Sequence, residues 1–139
     1  MNSAPHAAVH FSISSHLDVD IAVLKTSKLE LVSCFPESER FLLATVVSEL
    51  GRNIVKYARR GSIRLTALEE RRRCGVEVCS EDRGPGIADL DHALSDHVST
   101  GGTLGLGLPG VRRMMDEFSI ESEPGKGTRV TARKWTRER

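Results

Sequence analysis

Polar side chains recur at helical spacing inside an apolar segment in the middle of the chain. Glu49, Asn53, Lys56 and Tyr57 belong to the stretch ELGRNIVKYARRG. Spacings of four, seven and eight residues place side chains on one face of an α-helix. Because burying such groups without partners is costly, the row predicts one of two things. It is either a plain solvated face or the border of a magnesium-and-phosphate site.

A long helix should carry this row. Pro36 followed by Glu37 and Glu39 is typical of a helix start, since proline is tolerated there and acids complement the helix dipole. We expect the helix to run from about Glu37 to Ala58 and to end near Gly61.

Two lines of side chains divide this predicted helix. Gly51 lies in its interior, where glycine costs about 1 kcal/mol relative to alanine, so it either permits close helix–sheet packing or is neutral. The carbonyl oxygen of Asn53 is a hard donor suited to Mg²⁺. The expected core stripe is Leu43, Val47, Leu50, Ile54 and Tyr57 or Ala58, and the second line, roughly 100° away, is Leu42, Val46, Glu49, Asn53 and Lys56.

Size and composition favour one cytoplasmic domain. A chain of 139 residues fits a single core. Twenty basic and nineteen acidic side chains nearly cancel, so no general attraction to nucleic acid or to a membrane is expected. Cys34, Cys74 and Cys79 form no CxxC pair, which predicts neither a disulfide framework nor a zinc site and favours a reducing compartment. No signal peptide or membrane-length apolar run is visible.

The order of the predicted elements favours an α+β fold. We expect a two-layer sandwich in which helices cover one face of a mixed β-sheet. Residues 1–8 are expected to be a flexible terminus and residues 9–135 the folded domain. The other predicted elements are a strand Val9–Ile13, a helix capped by Asp18 and reaching about Val32, strands Ser62–Leu68 and Gly75–Ser80, short helices Asp89–Asp96 and Pro109–Met115, and a hairpin of Phe118–Ser122 and Thr128–Trp135.

Two glycine-rich segments could hold a ligand. Asp82–Ile87 follows a strand, so a ligand ring could approach its backbone while the carboxylate accepts from an exocyclic amine; an ordinary Gly-Pro turn is the alternative. Gly105–Gly110 leads into a helix, whose N-terminal N–H groups attract phosphate. It lacks the Gly-Lys-Ser/Thr of a Walker A loop, and a flexible linker is the alternative. Thr128 alone indicates only a strand.

Taken in order, the segments resemble the GHKL (Bergerat) ATP-binding fold of gyrase-type ATPases, histidine kinases and anti-sigma-factor kinases. Glu49–Tyr57 resembles the N box, and Asp82–Gly86, Gly105–Gly107 and Gly127-Thr128 resemble the glycine boxes, over about residues 9 to 135. Within that group, ELGRNIVKYA, EDRGPGI, STGGTLGLGLPGVRRMMDEF and TARKW are similar to the RsbT-type switch kinases of bacterial stressosomes.

The resemblance implies a role for each matching position. Glu49 would be the general base toward the substrate hydroxyl, Asn53 the Mg²⁺ ligand, and Asp82 the partner of the adenine amino group. Lys56 would lie near the phosphates, and Thr128 would complete the adenine pocket. The remaining implied nucleotide-binding positions, which include the mobile ATP lid, are Gly84, Gly86, Ile87, Gly105, Leu106, Gly107 and Leu108.

The function that the resemblance implies is protein phosphorylation. The expected enzyme is an ATP- and Mg²⁺-dependent serine/threonine kinase acting on a STAS-domain anti-sigma antagonist or stressosome scaffold. It would also switch partners and activate a PP2C-type phosphatase. One alternative is an anti-sigma factor that sequesters a sigma subunit directly, and another is a nucleotide-binding module without transfer activity, against which Glu49 and Asn53 argue.

Overall fold

The structure is a computed structural model that describes residues 7–89, 93–95 and 107–137. Half of the helix expected over Asp89–Asp96 therefore lies outside the described residues. Among the described residues, no helix is long and apolar enough to cross a membrane. The strands are Ala8–Ile13 (β1), Gly61–Glu70 (β2), Arg73–Asp82 (β3), Glu117–Glu123 (β4) and Gly127–Trp135 (β5), and the helices are His16–Thr26 (α1), Glu37–Asn53 (α2) and Gly107–Met114 (α3), with a 3₁₀ turn at Glu30–Val32 and a π-helical turn at Ile54–Ala58.

The five strands form one sheet in the order β1-β2-β3-β5-β4. Every pair in it is antiparallel, whereas a mixed sheet was expected. The reason is visible in the connections. Short turns join β2 to β3 and β4 to β5, and the helical excursion after β1 returns the chain to the end where β1 stopped, since Ile13 pairs with Gly61. The expected α+β class with helices against a sheet is confirmed.

Alternation along the strands gives the sheet one buried and one polar face. The buried face carries aliphatic side chains that pack against the helices. The opposite face carries cross-strand ion pairs, Arg129 with Glu81 at 2.8 Å and Arg133 with Glu77 at 2.9 Å. The core includes Ile63, Leu65, Val76, Val78, Val130 and Ala132 from the sheet and Val19, Ala22, Leu43, Val46, Val47, Leu50 and Ile54 from the helical layer.

Helix α1 begins and ends earlier than the sequence predicted. Its N-cap is Ser15, whose hydroxyl accepts the N–H of Asp18 at 3.2 Å. Asp18 instead accepts from the backbone and hydroxyl of Ser14, and these hydrogen bonds lower the pKa of Asp18. The helix stops at Thr26, because the chain must bend to bring Val32 and the residues after it into the core. The predictions of an Asp18 cap and of a helix to Val32 were wrong.

Helix α2 and the π-helical turn together span the predicted interval from Glu37 to Ala58. Four of the predicted core residues are buried, namely Leu43, Val47, Leu50 and Ile54. Tyr57 is 52% exposed, so its place in the core stripe was wrong. A π-helical turn holds more residues than an α-helical one, and it therefore rotates the residues after Ile54 out of the stripe.

The cysteines also differ from the prediction. Cys34, just before α2, is bonded to Cys74 in β3, with an S–S distance of 2.07 Å. Cys79 is free, and burial raises the pKa of its thiol. Sequence spacing could not reveal the pair, because 40 residues separate the two cysteines and only the fold brings them together.

Candidate functional site

A cavity of about 410 Å³ lies between the C-terminal end of α2 and the ends of β3 and β5. Its size suits a small ligand. Its lining is mostly apolar, with polar groups at a few places. The lining residues are Leu50, Asn53, Ile54, Tyr57, Ser80, Asp82, Pro85, Gly86, Ile87, Asp89, Ala93, Gly107, Leu108, Pro109, Thr128 and Val130.

A second groove of about 770 Å³ lies beside Cys34 and Cys74, at the other end of α2 and β3. Its lining is largely charged, and it includes Arg71, Arg72 and Glu69. It contains no residue of the four motifs. Although this groove is larger, the smaller cavity is the candidate site, because the residues from all four motifs meet there.

The polar row on the helix is divided among three environments. Glu49 is only 7% exposed, and its Oε2 accepts the N–H of Gly107 at 3.2 Å. Asn53, one turn later, lines the cavity. Lys56 is exposed and does not line it, and its ammonium lies 5.1 Å from the centroid of the Tyr57 ring. The solvated-face alternative is therefore wrong for Glu49, and the place of Lys56 beside phosphates stays a prediction.

Asp82 ends β3 at the cavity wall. Its Oδ1 accepts the N–H of Gly84 at 2.9 Å, which holds the carboxylate at the start of the loop. Gly84 itself lies against Ala58 and not among the lining residues, since a Cβ at Gly84 would be 2.6 Å from that of Ala58. Gly86 and Ile87 do line the cavity. The loop thus reaches the ligand space with its second half.

Thr128 faces Asp82 directly, because the two residues are partners in the β3–β5 ladder. Its hydroxyl lies 2.8 Å from the hydroxyl of Ser122 on β4. Ser122 Oγ also accepts the N–H of Ile87 at 2.7 Å and donates to the carbonyl of Gly127 at 3.0 Å. One hydroxyl therefore connects the loop after β3, the β4–β5 turn and the threonine at the cavity.

Helix α3 starts at the cavity with Gly107, two residues before the predicted start at Pro109. Gly107, Leu108 and Pro109 line the space, so the positive end of the helix dipole points toward it. Gly105 and Leu106, predicted for the ATP lid, lie outside the described residues.

Sequence reasoning missed three lining or supporting residues. Tyr57 was noted in the polar row but was assigned to the core stripe and given no role in the site, yet it lines the cavity. Ser80 was treated only as part of a strand, yet it is buried at the cavity wall. Ser122 had no signal at all, because a serine in a strand that alternates apolar and polar residues is ordinary.

Residues 38–138 match the family described as histidine kinase-, DNA gyrase B-, and HSP90-like ATPases. The chain belongs to this family. The match covers nearly all of α2, most of the sheet and every residue that lines the cavity. The GHKL resemblance in the sequence is thereby confirmed.

Two kinds of relative within this ATPase family are similar to the chain. It is 47% identical over 95 residues to the serine/threonine-protein kinase RsbT of Bacillus subtilis (strain 168), which covers 68% of this chain and 71% of RsbT. It is 31% identical over 99 residues to the anti-sigma F factor of Thermoanaerobacter sp. (strain X514), covering 67% and 68% of the two chains. The first similarity identifies this member of the ATPase family as a serine/threonine-protein kinase.

Solved structures agree on the fold. A mycobacterial sensor histidine kinase, MprB, superposes with a TM-score of 0.53 at 14% identity, covering 96% of this chain and 99% of that one. The catalytic domain of the histidine kinase ThkA gives a TM-score of 0.50 at 18% identity, covering 91% and 95%. At these identities the likeness concerns the ATPase-family fold alone.

Proposed function

We propose that this kinase transfers the γ-phosphoryl group of Mg²⁺-ATP to a serine or threonine of a STAS-domain protein in the cytoplasm. One observation supports the proposal above all. Asn53, Asp82 and Thr128, which come from separate motifs, line one cavity, and the buried carboxylate of Glu49 lies one helical turn from Asn53.

The adenine ring would occupy the end of the cavity formed by Asp82 and Thr128. Oδ1 of Asp82 is engaged by Gly84, so Oδ2 is the oxygen available to the adenine amino group. Apolar side chains such as Ile54, Ile87 and Val130 line the same space and would contact the ring faces. A carboxylate aimed into an apolar cavity recognises a donor strongly, because few other partners compete for it.

The phosphates would lie toward Asn53 and the start of α3. Among the described residues no group of three or more acidic, histidine or cysteine side chains could hold a metal ion. A nucleotide-bound Mg²⁺ needs no such group, because it takes phosphate oxygens, waters and only one or two protein ligands. The Asn53 carboxamide fits as one such ligand. When bound, Mg²⁺ would neutralise charge on the β- and γ-phosphates.

Glu49 would act as the general base. It would accept the proton of the substrate hydroxyl while the oxygen bonds to the γ-phosphorus and the bond to the ADP oxygen breaks. Its hydrogen bond to the N–H of Gly107 holds the carboxylate in one orientation. The same contact brings the Glu49 carboxylate beside the N-terminus of α3, where we expect the phosphates.

The Glu49→Gln variant tests the base. The carbonyl oxygen of glutamine still accepts from Gly107, but the side chain can no longer take a proton. We expect ATP affinity within a few-fold of wild type and transfer slowed by roughly 100-fold or more. Calorimetric ATP titration and transfer of labelled phosphate to candidate STAS proteins measure the two. Glu121→Gln, at an exposed site on β4, is the control, and a wild-type transfer rate in Glu49→Gln would remove the base assignment.

We further propose that the kinase switches partners, leaving the phosphorylated STAS protein to activate a PP2C-type phosphatase. Its similarity both to a kinase and to anti-sigma factors supports a protein-binding role. Large apolar side chains stay exposed on one side of α1, namely Leu17, Ile21 and Leu24, as protein-binding surfaces often show.

Direct sequestration of a sigma subunit is the second candidate, favoured by the similarity to anti-sigma F factors. Purification of the tagged chain with its bound proteins separates the two. STAS proteins that accept phosphate in the transfer assay support the kinase proposal. A sigma subunit recovered without any phosphorylated STAS protein supports the alternative.

A further inference from the structure

We propose that Ser122 fixes the direction of the Thr128 hydroxyl proton, so that Thr128 offers only acceptor lone pairs to the nucleotide base. Ser122 is then a positioning residue that makes the site prefer a 6-amino purine over a 6-oxo purine. The inference rests on the proposed function, which places the base against Asp82.

The argument starts from the capacity of one hydroxyl. Ser122 Oγ has one proton to donate and two lone pairs to accept with. The N–H of Ile87, 2.7 Å away, can only donate, and the carbonyl of Gly127, 3.0 Å away, can only accept. The Ser122 proton therefore goes to Gly127, and one lone pair is taken by Ile87.

One lone pair of Ser122 remains for Thr128, whose Oγ1 lies 2.8 Å away. Thr128 must then be the donor in that contact. The reverse arrangement, with Ser122 donating to Thr128, would leave the Gly127 carbonyl without this bond. It keeps two of the three hydrogen bonds, and a half-buried polar group without its partner is unfavourable. The arrangement with all three bonds is the stable one.

The consequence appears on the cavity side. With its proton committed to Ser122, Thr128 presents lone pairs to the ligand. Asp82, its cross-strand partner, presents a carboxylate oxygen. Two acceptors therefore stand side by side on this wall. An exocyclic amine or a bridging water can donate to them, whereas a carbonyl oxygen at the same place would meet only acceptors.

Ser122 also has a purely mechanical effect that must be separated from this one. By accepting from Ile87 it ties the loop after β3 to the β4–β5 turn, and Gly125 donates its N–H to Pro85 at 2.7 Å in the same junction. Loosening the loop would weaken all nucleotides alike. The ratio of two affinities is therefore the informative quantity, and the absolute affinity is not.

The experiment compares ATP with inosine triphosphate, in which an oxygen replaces the 6-amino group and N1 carries a proton, in calorimetric titrations of the full chain with Mg²⁺. We expect the preference for ATP to fall roughly tenfold in Ser122→Ala, the equivalent of one hydrogen bond, since the freed Thr128 hydroxyl can turn and donate. Ser122→Thr keeps the hydroxyl and should keep the preference. Ser119→Ala, an exposed serine on the same strand, should match wild type.

Thr128→Val tests the same proposal independently and remains informative if Ser122→Ala does not fold; the quantity measured is again the ratio of the two affinities. It should lose the preference, and adding Ser122→Ala to it should change the ratio no further. Equal weakening of both nucleotides in Ser122→Ala, or a wild-type ratio in Thr128→Val, would overturn the proposal. Failure of the proposed function would look different: Asp82→Asn would then bind ATP as tightly as wild type.

Discussion

Gly125 and Gly127 both have positive φ, 80° and 86°, but their surroundings differ. A Cβ at Gly125 would have open space around it. A Cβ at Gly127 would overlap the backbone carbonyl of Asp82, the residue proposed to bind adenine. Alanine at either position would adopt the same unfavourable left-handed backbone. A comparison of the two variants therefore measures the cost of the close approach of Gly127 to the backbone of Asp82.

We therefore expect Gly125→Ala to destabilise the protein by about 1 kcal/mol, the cost of left-handed φ for alanine. Gly127→Ala should cost at least about 1 kcal/mol more, because backbone must move, and it should also weaken ATP binding. Urea unfolding and ATP titration measure these effects. Equal losses of stability in the two variants would mean that the contact with Asp82 relaxes without cost.

At the residue scale, the sequence predicted those site residues that lie within short motifs. Asn53 and Asp82 are recognisable because a local pattern surrounds each of them, whereas Thr128 was recognisable only through the resemblance to the GHKL family. Ser122 is not, because its partners are Ile87, far back in the chain, and a turn whose geometry must be known first. Which of the two hydroxyls donates in the contact between Ser122 and Thr128 depends on several distances at once. A pattern of residue types in the sequence does not give these distances.

Among the elements, the contact between α1 and α2 explains a glycine that the sequence left open. A Cβ at Gly51 would lie 2.9 Å and 3.0 Å from the two γ-carbons of Val19, which is buried in α1. Gly51 thus permits close helix–helix packing, where helix–sheet packing was one expectation. Val19 is β-branched and stiff in a helix, so it cannot turn away.

Gly51→Ala should accordingly destabilise the protein by about 1–3 kcal/mol through overpacking, although alanine is the better helix former. In a Val19→Ala background the overlap is gone, and the same change should be neutral or stabilising by up to about 1 kcal/mol. Thermal and urea unfolding of the four proteins complete the double-mutant cycle. Additive effects would show that the two helices do not meet there.

The hydrophobic periodicity of the sequence predicted the presence of the helices and strands more accurately than it predicted the residues at which they end. The extent of α2 followed from its apolar stripe, but the π-helical turn did not, since local propensity hardly distinguishes the two kinds of turn. That turn is what exposes Tyr57 at the cavity. The end of α1 likewise depends on burying Val32, which is a tertiary requirement.

On the scale of the whole molecule, the Cys34–Cys74 bond joins the start of α2 to β3 across a loop of 40 residues. Closing such a loop in the unfolded chain should contribute about 2–4 kcal/mol. Cys34→Ser should lower the unfolding temperature of the oxidised protein, and a reductant should abolish the difference from wild type. Cys79→Ser, which removes the half-buried free thiol and keeps the Cys34–Cys74 bond, is the control, and its stability should respond to reductant as that of the wild type does.

The opposite result, an unfolding temperature of the wild type that is insensitive to reductant, would show that the two thiols are not bonded in solution. A reducing cytoplasm disfavours such bonds. In the proposed cytoplasmic location the reduced form would be the working state of the kinase, and the bonded form would be the product of oxidation.

The pairing of Asp82 with Thr128 has a last consequence. These two residues close the β3–β5 ladder at the cavity end, and β3 and β5 are far apart in the chain. A nucleotide base that is hydrogen-bonded to both side chains would connect the two strands beyond their last backbone pairing. Nucleotide binding would then stabilise this end of the β3–β5 pair against local opening, because the nucleotide binds only the closed pair. The backbone amides at this end of the ladder should therefore exchange their hydrogens more slowly when nucleotide is bound.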